Sequence, residues 1–183
     1  MGYDVSLNKA WDQFKDREKD GPLPIKFFND IYEVDFLKRT VFSLSCNIEA
    51  KDHYKILILH YIANESRVSD VKADDWISFK EIDGGEAYFP AFRKRAIEPL
   101  LRKYGDNPGA MLDCAKVLNV EAIDTGSAGI AIWAFPKVKI GIILWAKDEE
   151  FGAECNMLFN RSIKIVFPTE DIAVLGGIVA SLV

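Results

Sequence analysis

The stretch that decides the fold is "AGIAIWAFPKVKIGIILWA", residues 128–146. Both halves are dominated by apolar and β-branched residues, and "FPK" at 135–137 lies between them. Such a pattern predicts two antiparallel strands joined by a turn, which is a β-hairpin. Further strands are predicted at 155–159 and 162–167, so the C-terminal part of the chain is rich in antiparallel pairs.

Helical and strand patterns are interspersed upstream of the hairpin. Residues 4–18 carry apolar side chains at helical spacing, and residues 25–46 alternate as two or three short antiparallel strands. The segment "DHYKILILHYIANES", residues 52–66, predicts a largely buried helix capped by Asp52. A strand is the alternative for so short an apolar run.

Prolines mark the boundaries in the middle of the chain. A strand is predicted at 76–82, followed by a helix that accepts Pro90 in its first turn. Pro99 is expected to divide this helix, because proline lacks an N–H donor and crowds the preceding turn. Asn107 and Pro108 together have the form of the start of another helix.

The order of these elements indicates the fold class. The last helix is predicted to begin with Thr169 as its cap. Helices and antiparallel strands are mixed without a repeated strand–helix unit, which predicts an α+β fold with about five helices. No linker or repeat is present, so a single domain over residues 1–183 is expected, with an N-terminal helix within residues 1–20.

Composition and charge exclude several kinds of partner. The chain has 183 residues, with 23 Lys and Arg against 28 Asp and Glu, and a formal charge of −5. An acidic surface repels phosphate backbones, so no nucleic-acid partner is expected. The apolar run at 172–183 is shorter than the ~20 residues of a membrane span, so no membrane association is expected.

The cysteines and the N-terminal residues indicate a compartment. The three cysteines form no CxxC pair, which argues against thiolate-held zinc or an iron–sulfur cluster: Cys46, Cys114 and Cys155. Widely spaced cysteines suit a reducing compartment, and the first residues show no secretory signal. A cytoplasmic location is therefore predicted.

Four stretches together resemble a known family: "LHYI" at 59–62, and the segments at 76–100, 140–151 and 158–179. Over residues 24–180 the chain is similar to domain-of-unknown-function family 3786. The resemblance implies a cytoplasmic protein of an anaerobic bacterium or archaeon, near corrinoid or one-carbon chemistry. The extra four-cysteine iron–sulfur domain of some relatives is lacking in this sequence.

The resemblance transfers no activity and no catalytic residues. Relatives tend to have an aspartate after the "LF" of the last stretch, where this chain has Asn160. The departure argues against a role for this position as an acid or a cation ligand.

A motif of aspartic peptidases, Asp-Thr-Gly-Ser, occurs at 124–127. Peptidase chemistry needs two carboxylates that share one proton, and the sequence contains no second such motif, so a symmetric dimer would be required. We interpret the motif as a turn into the hairpin, because Asp, Gly and Ser supply side-chain caps and positive φ. Asp124 is the single catalytic candidate.

The two histidines, His53 and His60, are seven residues apart. On a helix they lie on the same side, about 10 Å apart along the axis, too far to share one metal ion. No metal site is therefore predicted. His60 alone could be an axial ligand of a tetrapyrrole or a general base. The favoured interpretation is a hydrogen-bonded core His60 and a surface His53.

Two further clusters stand out. A local basic cluster could receive a carboxylate or phosphate, although such charge runs are more commonly solvated: Arg93, Lys94, Arg95, Arg102 and Lys103. A strip of small residues in the last helix indicates close packing, within the domain or across a homodimer: Ala173, Gly176, Gly177, Ala180 and Ser181.

We expect a non-catalytic accessory module that binds a small molecule or a protein partner, because no complete catalytic set is present. The predicted ligand-binding residues are His60, Tyr61, Trp76, Arg93 and Arg95. One alternative is a corrinoid- or tetrapyrrole-handling protein with His60 as ligand. Another is a dimeric aspartic-peptidase-like hydrolase through Asp124. No sequence motif identifies a cofactor.

Overall fold

The computed structural model describes residues 3–69, 71–72, 75–116 and 118–183. The strands of these residues form two antiparallel sheets. The first sheet has the order β1-β2-β3-β4, with β1 Leu23–Phe27, β2 Asp30–Asp35, β3 Thr40–Ser43 and β4 Ile48–Glu49. The second has the order β5-β9-β8-β7-β6, with β5 Trp76–Ser78, β6 Val120–Ala122, β7 Ala128–Phe135, β8 Val138–Trp145 and β9 Glu154–Asn160.

Six α-helices are present in the described residues: α1 Asp4–Asp12, α2 Asp52–Asn64, α3 Gly85–Phe92, α4 Glu98–Tyr104, α5 Ile163–Val166 and α6 Thr169–Leu182. Short 3₁₀ segments lie at Lys15–Arg17, Glu65–Arg67, Phe79–Glu81 and Pro108–Lys116, and a π turn spans Arg93–Ile97. No helix in these parts of the chain is long and apolar enough to cross a membrane.

The predicted hairpin is the centre of the second sheet. Strands β7 and β8 pair antiparallel, with Ile130 opposite Ile142 and Ile132 opposite Ile140. These four side chains are buried in the core, since none is more than 2% exposed. The hairpin and the α+β class are therefore confirmed. Strands β1, β2 and β3 confirm the short antiparallel strands predicted at 25–46.

Helix α2 joins the two sheets. The helix makes apolar contacts on nearly all sides, because five of its residues are buried: Ile56, Leu57, Ile58, Leu59 and Tyr61. The Tyr61 ring stacks on Phe135 of β7 at 4.3 Å between centroids, and Phe27 of β1 stacks on Phe135 at 4.5 Å. Three elements therefore meet at one aromatic stack.

Pro99 divides the helical region as predicted. The π turn at 93–97 ends immediately before α4, which carries Pro99 in its first turn. Proline offers no N–H to the preceding turn, so a regular α-helix cannot continue through this point. The preceding Phe92 is fully buried and stacks on Phe79 at 4.0 Å.

The strand predicted at 162–167 is wrong, because these residues turn into α5. The Asn160 side-chain oxygen accepts hydrogen bonds from the backbone N–H and the hydroxyl of Ser162, which ends β9 in a turn. Ile163 and Val166, three residues apart, then bury one helical face. The apolar run fits a strand equally well, and the side-chain hydrogen bonds of Asn160 decide against it.

Other predicted boundaries shift by local capping. The strand predicted at 76–82 ends at Ser78, because Ser78 and Glu81 form a capping box for a 3₁₀ turn. Asp52 and Thr169 are first helical residues and not caps, since Lys51 and Pro168 hold the capping positions.

Candidate functional site

A cavity of about 270 Å³ lies between α1, α2 and the N-terminal turn of α6. We call it the His60 pocket. Its apolar lining consists of Tyr3, Ile56, Leu57, Pro168 and Val174. Its polar lining consists of Ser6, His53, His60, Glu170 and Asp171.

Helix geometry brings both histidines to this pocket. His53 and His60 are seven residues apart on α2, so they lie about two turns apart on one face. Asp171 lies in the first turn of α6, which faces that side of α2. The Asn64 side chain donates to the carbonyls of His60 at 3.1 Å and Val166 at 3.2 Å, and so ties α2 to the segment before α6.

His60 and Asp171 form the closest polar contact of the pocket. The His60 Nδ1 lies 2.5 Å from Asp171 Oδ2, and the two side chains are 22% and 13% exposed. An ionised carboxylate only accepts hydrogen bonds, so the proton of this contact is on Nδ1. Nε2 has no hydrogen-bond partner among the described residues, and His60 lines the cavity. Asp171 thus fixes the orientation of the ring through one of its two nitrogens.

His53 presents a neutral imidazole to the same pocket. Burial lowers the pKa of this side chain from 6.5, and the nearby Lys51 charge lowers it further, against a smaller opposite effect of Asp52. Its ring makes an edge contact with Tyr54 at 4.8 Å and a tilted contact with Tyr3 at 6.0 Å. At pH 7 the His53 side chain therefore lines the pocket as an uncharged imidazole.

Of the five predicted ligand-binding residues, His60 is the one that lines this pocket. Tyr61 is 2% exposed and belongs to the aromatic stack of the core. Arg93 lines a separate cavity of about 290 Å³ next to Cys155, and Trp76 lines one near Asp124. Arg95 donates to the Tyr88 hydroxyl on the surface. The structure does not bring these residues together.

The sequence does not predict most of this pocket, including three residues that are distant from α2 along the chain. Tyr3, Ser6 and Asp171 lie far from α2 in sequence, and Asp171 contacts His60 across 111 positions. The one available signal in the sequence is that two acidic residues, Glu170 and Asp171, directly follow Thr169. That signal is explained by the helix dipole alone, so it does not point to His60.

Asp124 is exposed in a turn whose geometry is set by its neighbours. Gly126 has a φ of +74°, and a Cβ there would lie 2.7 Å from both Ile143 Cγ2 and the Leu144 carbonyl oxygen. The Ser127 N–H donates to the Leu144 carbonyl at 2.7 Å, and the Ser127 hydroxyl accepts from the Ala146 N–H at 2.8 Å. These contacts fit the turn interpretation.

A carboxylate pair of the peptidase kind is not formed by the groups that line the Asp124 cavity. The other carboxylate there is Glu121, whose oxygens accept from Lys139 Nζ at 2.5 Å and Trp133 Nε1 at 2.7 Å. These two hydrogen bonds, that of Lys139 first, lower the pKa of Glu121. An ionised, fully engaged carboxylate does not share a proton with Asp124.

Substitutions in the Asp-Thr-Gly-Ser turn should affect stability and follow the packing. We expect Gly126→Ala to lower the free energy of unfolding by about 2 kcal/mol or more, from positive φ and overpacking together. Asp124→Asn should change it by less than about 0.5 kcal/mol, because the side chain is exposed. Urea denaturation of both variants measures the difference. A larger loss in Asp124→Asn would contradict this assignment of roles.

The described residues contain no group of three or more His, Cys, Asp or Glu side chains that could hold a metal ion.

No curated protein and no solved structure matches the chain. A family model described as "Domain of unknown function (DUF3786)" matches residues 12–181, nearly the whole sequence. The resemblance found in the sequence is thereby confirmed, and the chain belongs to the DUF3786 family.

Proposed function

We propose that the protein binds a small, uncharged and largely apolar molecule in the His60 pocket. The observation that carries the proposal is the His60–Asp171 pair at the wall of a mainly apolar cavity. Ligand sites are typically concave and apolar with a few convergent polar groups. Here both histidines of the chain and a positioned carboxylate converge on one cavity.

The charges around the pocket argue against an anionic ligand. Two carboxylates, Glu170 and Asp171, line it, and no lysine or arginine is among the described lining residues. Asp171 is engaged by His60, which leaves Glu170 as the carboxylate without a cationic partner in the lining. An anion would be repelled there, since opposite charges and not like charges stabilise a bound group. A hydrogen-bond donor on the ligand would meet His60 Nε2.

The size of the cavity favours a molecule of one or two rings. A volume of about 270 Å³ lies just below the ~300–1,000 Å³ typical of small-molecule pockets. A tetrapyrrole macrocycle would extend well outside it, although a carboxylate-supported histidine is the arrangement expected of a metal-ligating imidazole. A protein partner would need roughly 800 Å² of surface on each side. The sequence predicts either a small molecule or a protein as the bound partner. The concave pocket favours the small molecule.

Nuclear magnetic resonance of the two imidazoles tests the proposal. The chain has two histidines, so their ring signals are assigned by His53→Gln and His60→Gln. We expect indole to shift both signals saturably. Indole-3-carboxylate has the same ring system with a negative charge, and it should bind at least about fivefold more weakly, which is about 1 kcal/mol.

A matched pair of variants tests the location of binding. Ser6 lines the pocket and is exposed, so its side chain can be enlarged without overpacking the core. Ser6→Trp should block the indole-induced shifts, and Ser6→Ala should preserve them. Unchanged histidine signals with indole, or full binding by Ser6→Trp, would rule out this site.

A further inference from the structure

We propose that His60 is a general base that removes a proton from a neutral substrate held in the His60 pocket, with Asp171 as its positioning residue. This inference rests on the proposed function and adds a reaction class to it. The sequence favours a non-catalytic module, because no complete catalytic set is recognisable in it. The pair of His60 and Asp171 exists only in the folded protein, across 111 positions.

The geometry of the pair is that of an oriented base. Asp171 Oδ2 holds His60 Nδ1 at 2.5 Å, which leaves the basic lone pair on Nε2. A carboxylate in this position fixes the imidazole tautomer and stabilises the imidazolium that forms when the base accepts a proton. His60 lines the cavity, so a bound molecule lies against its ring.

The groups that face His60 support the same role. From α6, Asp171 and Glu170 line the pocket, and from α2, His53 does so with a neutral ring. Ser6 of α1 and Tyr3, the residue before α1, contribute no charge. No described lysine or arginine in the lining competes for the carboxylates. The charge that develops on His60 during proton transfer is therefore compensated by the Asp171 carboxylate.

A purely structural role for the pair is the competing explanation, because the contact also links α2 to α6. Asn64 already makes a connection of this kind through the Val166 carbonyl at 3.2 Å. A structural pair does not need its histidine to line a cavity, as His60 does. The two explanations differ in what they predict for chemistry at Nε2.

The reaction needs one base and no co-reactant. A C–H bond of the substrate breaks, its proton moves to His60 Nε2, and its electron pair remains on the substrate. There the pair either moves a double bond or expels a leaving group. The imidazolium then returns the proton to the rearranged substrate, to the leaving group or to water. Positioned bases of this kind contribute roughly 10²–10⁴-fold to rates.

The elimination of 5-nitrobenzisoxazole is the experiment. This probe is neutral and planar, and its two fused rings suit the size of the cavity. The base takes the C3 proton, and the electron pair of the broken C–H bond forms the nitrile. The N–O bond breaks, and its electron pair ends on the phenolate oxygen of 2-cyano-4-nitrophenolate, which is followed by absorbance. We expect a rate at least about 100-fold above that of free imidazole at equal concentration. His60→Gln should reduce it to the imidazole background.

The role of Asp171 has its own readout. Asp171→Asn should lower the rate at least tenfold, because an amide can donate to Nδ1 and so place the proton on Nε2. The inflection of the pH–rate profile should also move to lower pH, since the imidazolium loses its counter-ion. Glu121→Gln, which removes a carboxylate from a 2.5 Å contact with Lys139 elsewhere, is the matched control and should leave rate and profile unchanged.

The outcomes separate the two proposals. Elimination no faster with the native protein than with His60→Gln overturns the general-base role, whether or not the probe binds. Asp171→Asn with a lower melting temperature but an unchanged pH–rate profile overturns the positioning role. If indole shifts the histidine signals while elimination is absent, ligand binding stands without catalysis. If neither occurs, both proposals fall.

Discussion

Gly85→Ala is expected to destabilise the protein by about 3 kcal/mol or more. A Cβ at Gly85 would lie 1.9 Å from the carbonyl oxygen of Phe79 and 3.1 Å from its carbon. That oxygen is part of the backbone and accepts a hydrogen bond from Ile82 at 3.2 Å, so it cannot move aside as a side chain can. The clash has to be relieved by shifting α3 away from the preceding 3₁₀ turn.

The substitution also disturbs the core, because both the Phe79 ring and the backbone turn that carries it are held in place. Its ring is 1% exposed and lies parallel to Phe92 at 4.0 Å, and the Ser78–Glu81 capping box holds the turn in which it lies. A shift of this turn separates the two rings and opens a cavity between them. Loss of buried aromatic packing adds to the steric cost.

The neighbouring glycine supplies the control for this substitution. Gly84 has a φ of +74°, but a Cβ there would meet nothing within 4 Å. Gly84→Ala should therefore cost only the strain of a positive φ, about 1 kcal/mol. Urea denaturation of the two variants should differ by about 2 kcal/mol or more. Equal losses would show that the close approach at Gly85 is not tight.

The parts of the fold that could be predicted from sequence are those that local patterns specify. The hairpin at 128–146 and the buried helix α2 follow from runs of apolar residues with clear breaks. Pro99 divides a helix because its ring removes the N–H donor and crowds the preceding turn. Because these signals depend on residues that are close together in the chain, tertiary packing rarely overrides the structure that they predict.

The failures come from interactions between side chains and more distant parts of the chain. The strand predicted at 162–167 is a helix because Asn160 caps a turn with Ser162, which an apolar pattern does not reveal. The basic run at 93–103 lies along one helical region, yet Arg93 lines a cavity whereas Arg95, in the same π turn, donates to the Tyr88 hydroxyl. Residues two positions apart point to nearly opposite sides of a helix, so a basic run in the sequence does not form one surface patch.

The candidate site depends still more on tertiary structure. His60 and Tyr61 are neighbours in sequence, and both were expected at a ligand. The angle of about 100° between successive residues on a helix places His60 at the pocket and Tyr61 in the core. The position of α6 decides which face of α2 lines the pocket and which lies in the core, and Asp171 itself lies on α6. The position of α6 therefore determines the site.

Gly176→Ala is expected to destabilise the protein by about 2 kcal/mol through the packing of α6. A Cβ at Gly176 would lie 2.6 Å from Phe92 Cε2 and 3.1 Å from Met157 Sδ. Phe92 is fully buried against Phe79, so its ring cannot rotate away from the added methyl group. The gain of about 1 kcal/mol in helix propensity from alanine offsets only part of the overpacking.

Gly177→Ala is the matched substitution one residue further along the same helix. Nothing lies within 4 Å of a Cβ at Gly177, so the helix-propensity gain is uncompensated and stability should rise by about 0.5–1 kcal/mol. Denaturation should thus show a lower free energy of unfolding for Gly176→Ala and a higher one for Gly177→Ala. Equal stabilisation of the two would mean that α6 does not contact Phe92 through Gly176. It would then also remove the basis for placing Asp171 against His60, because the same helix carries both contacts.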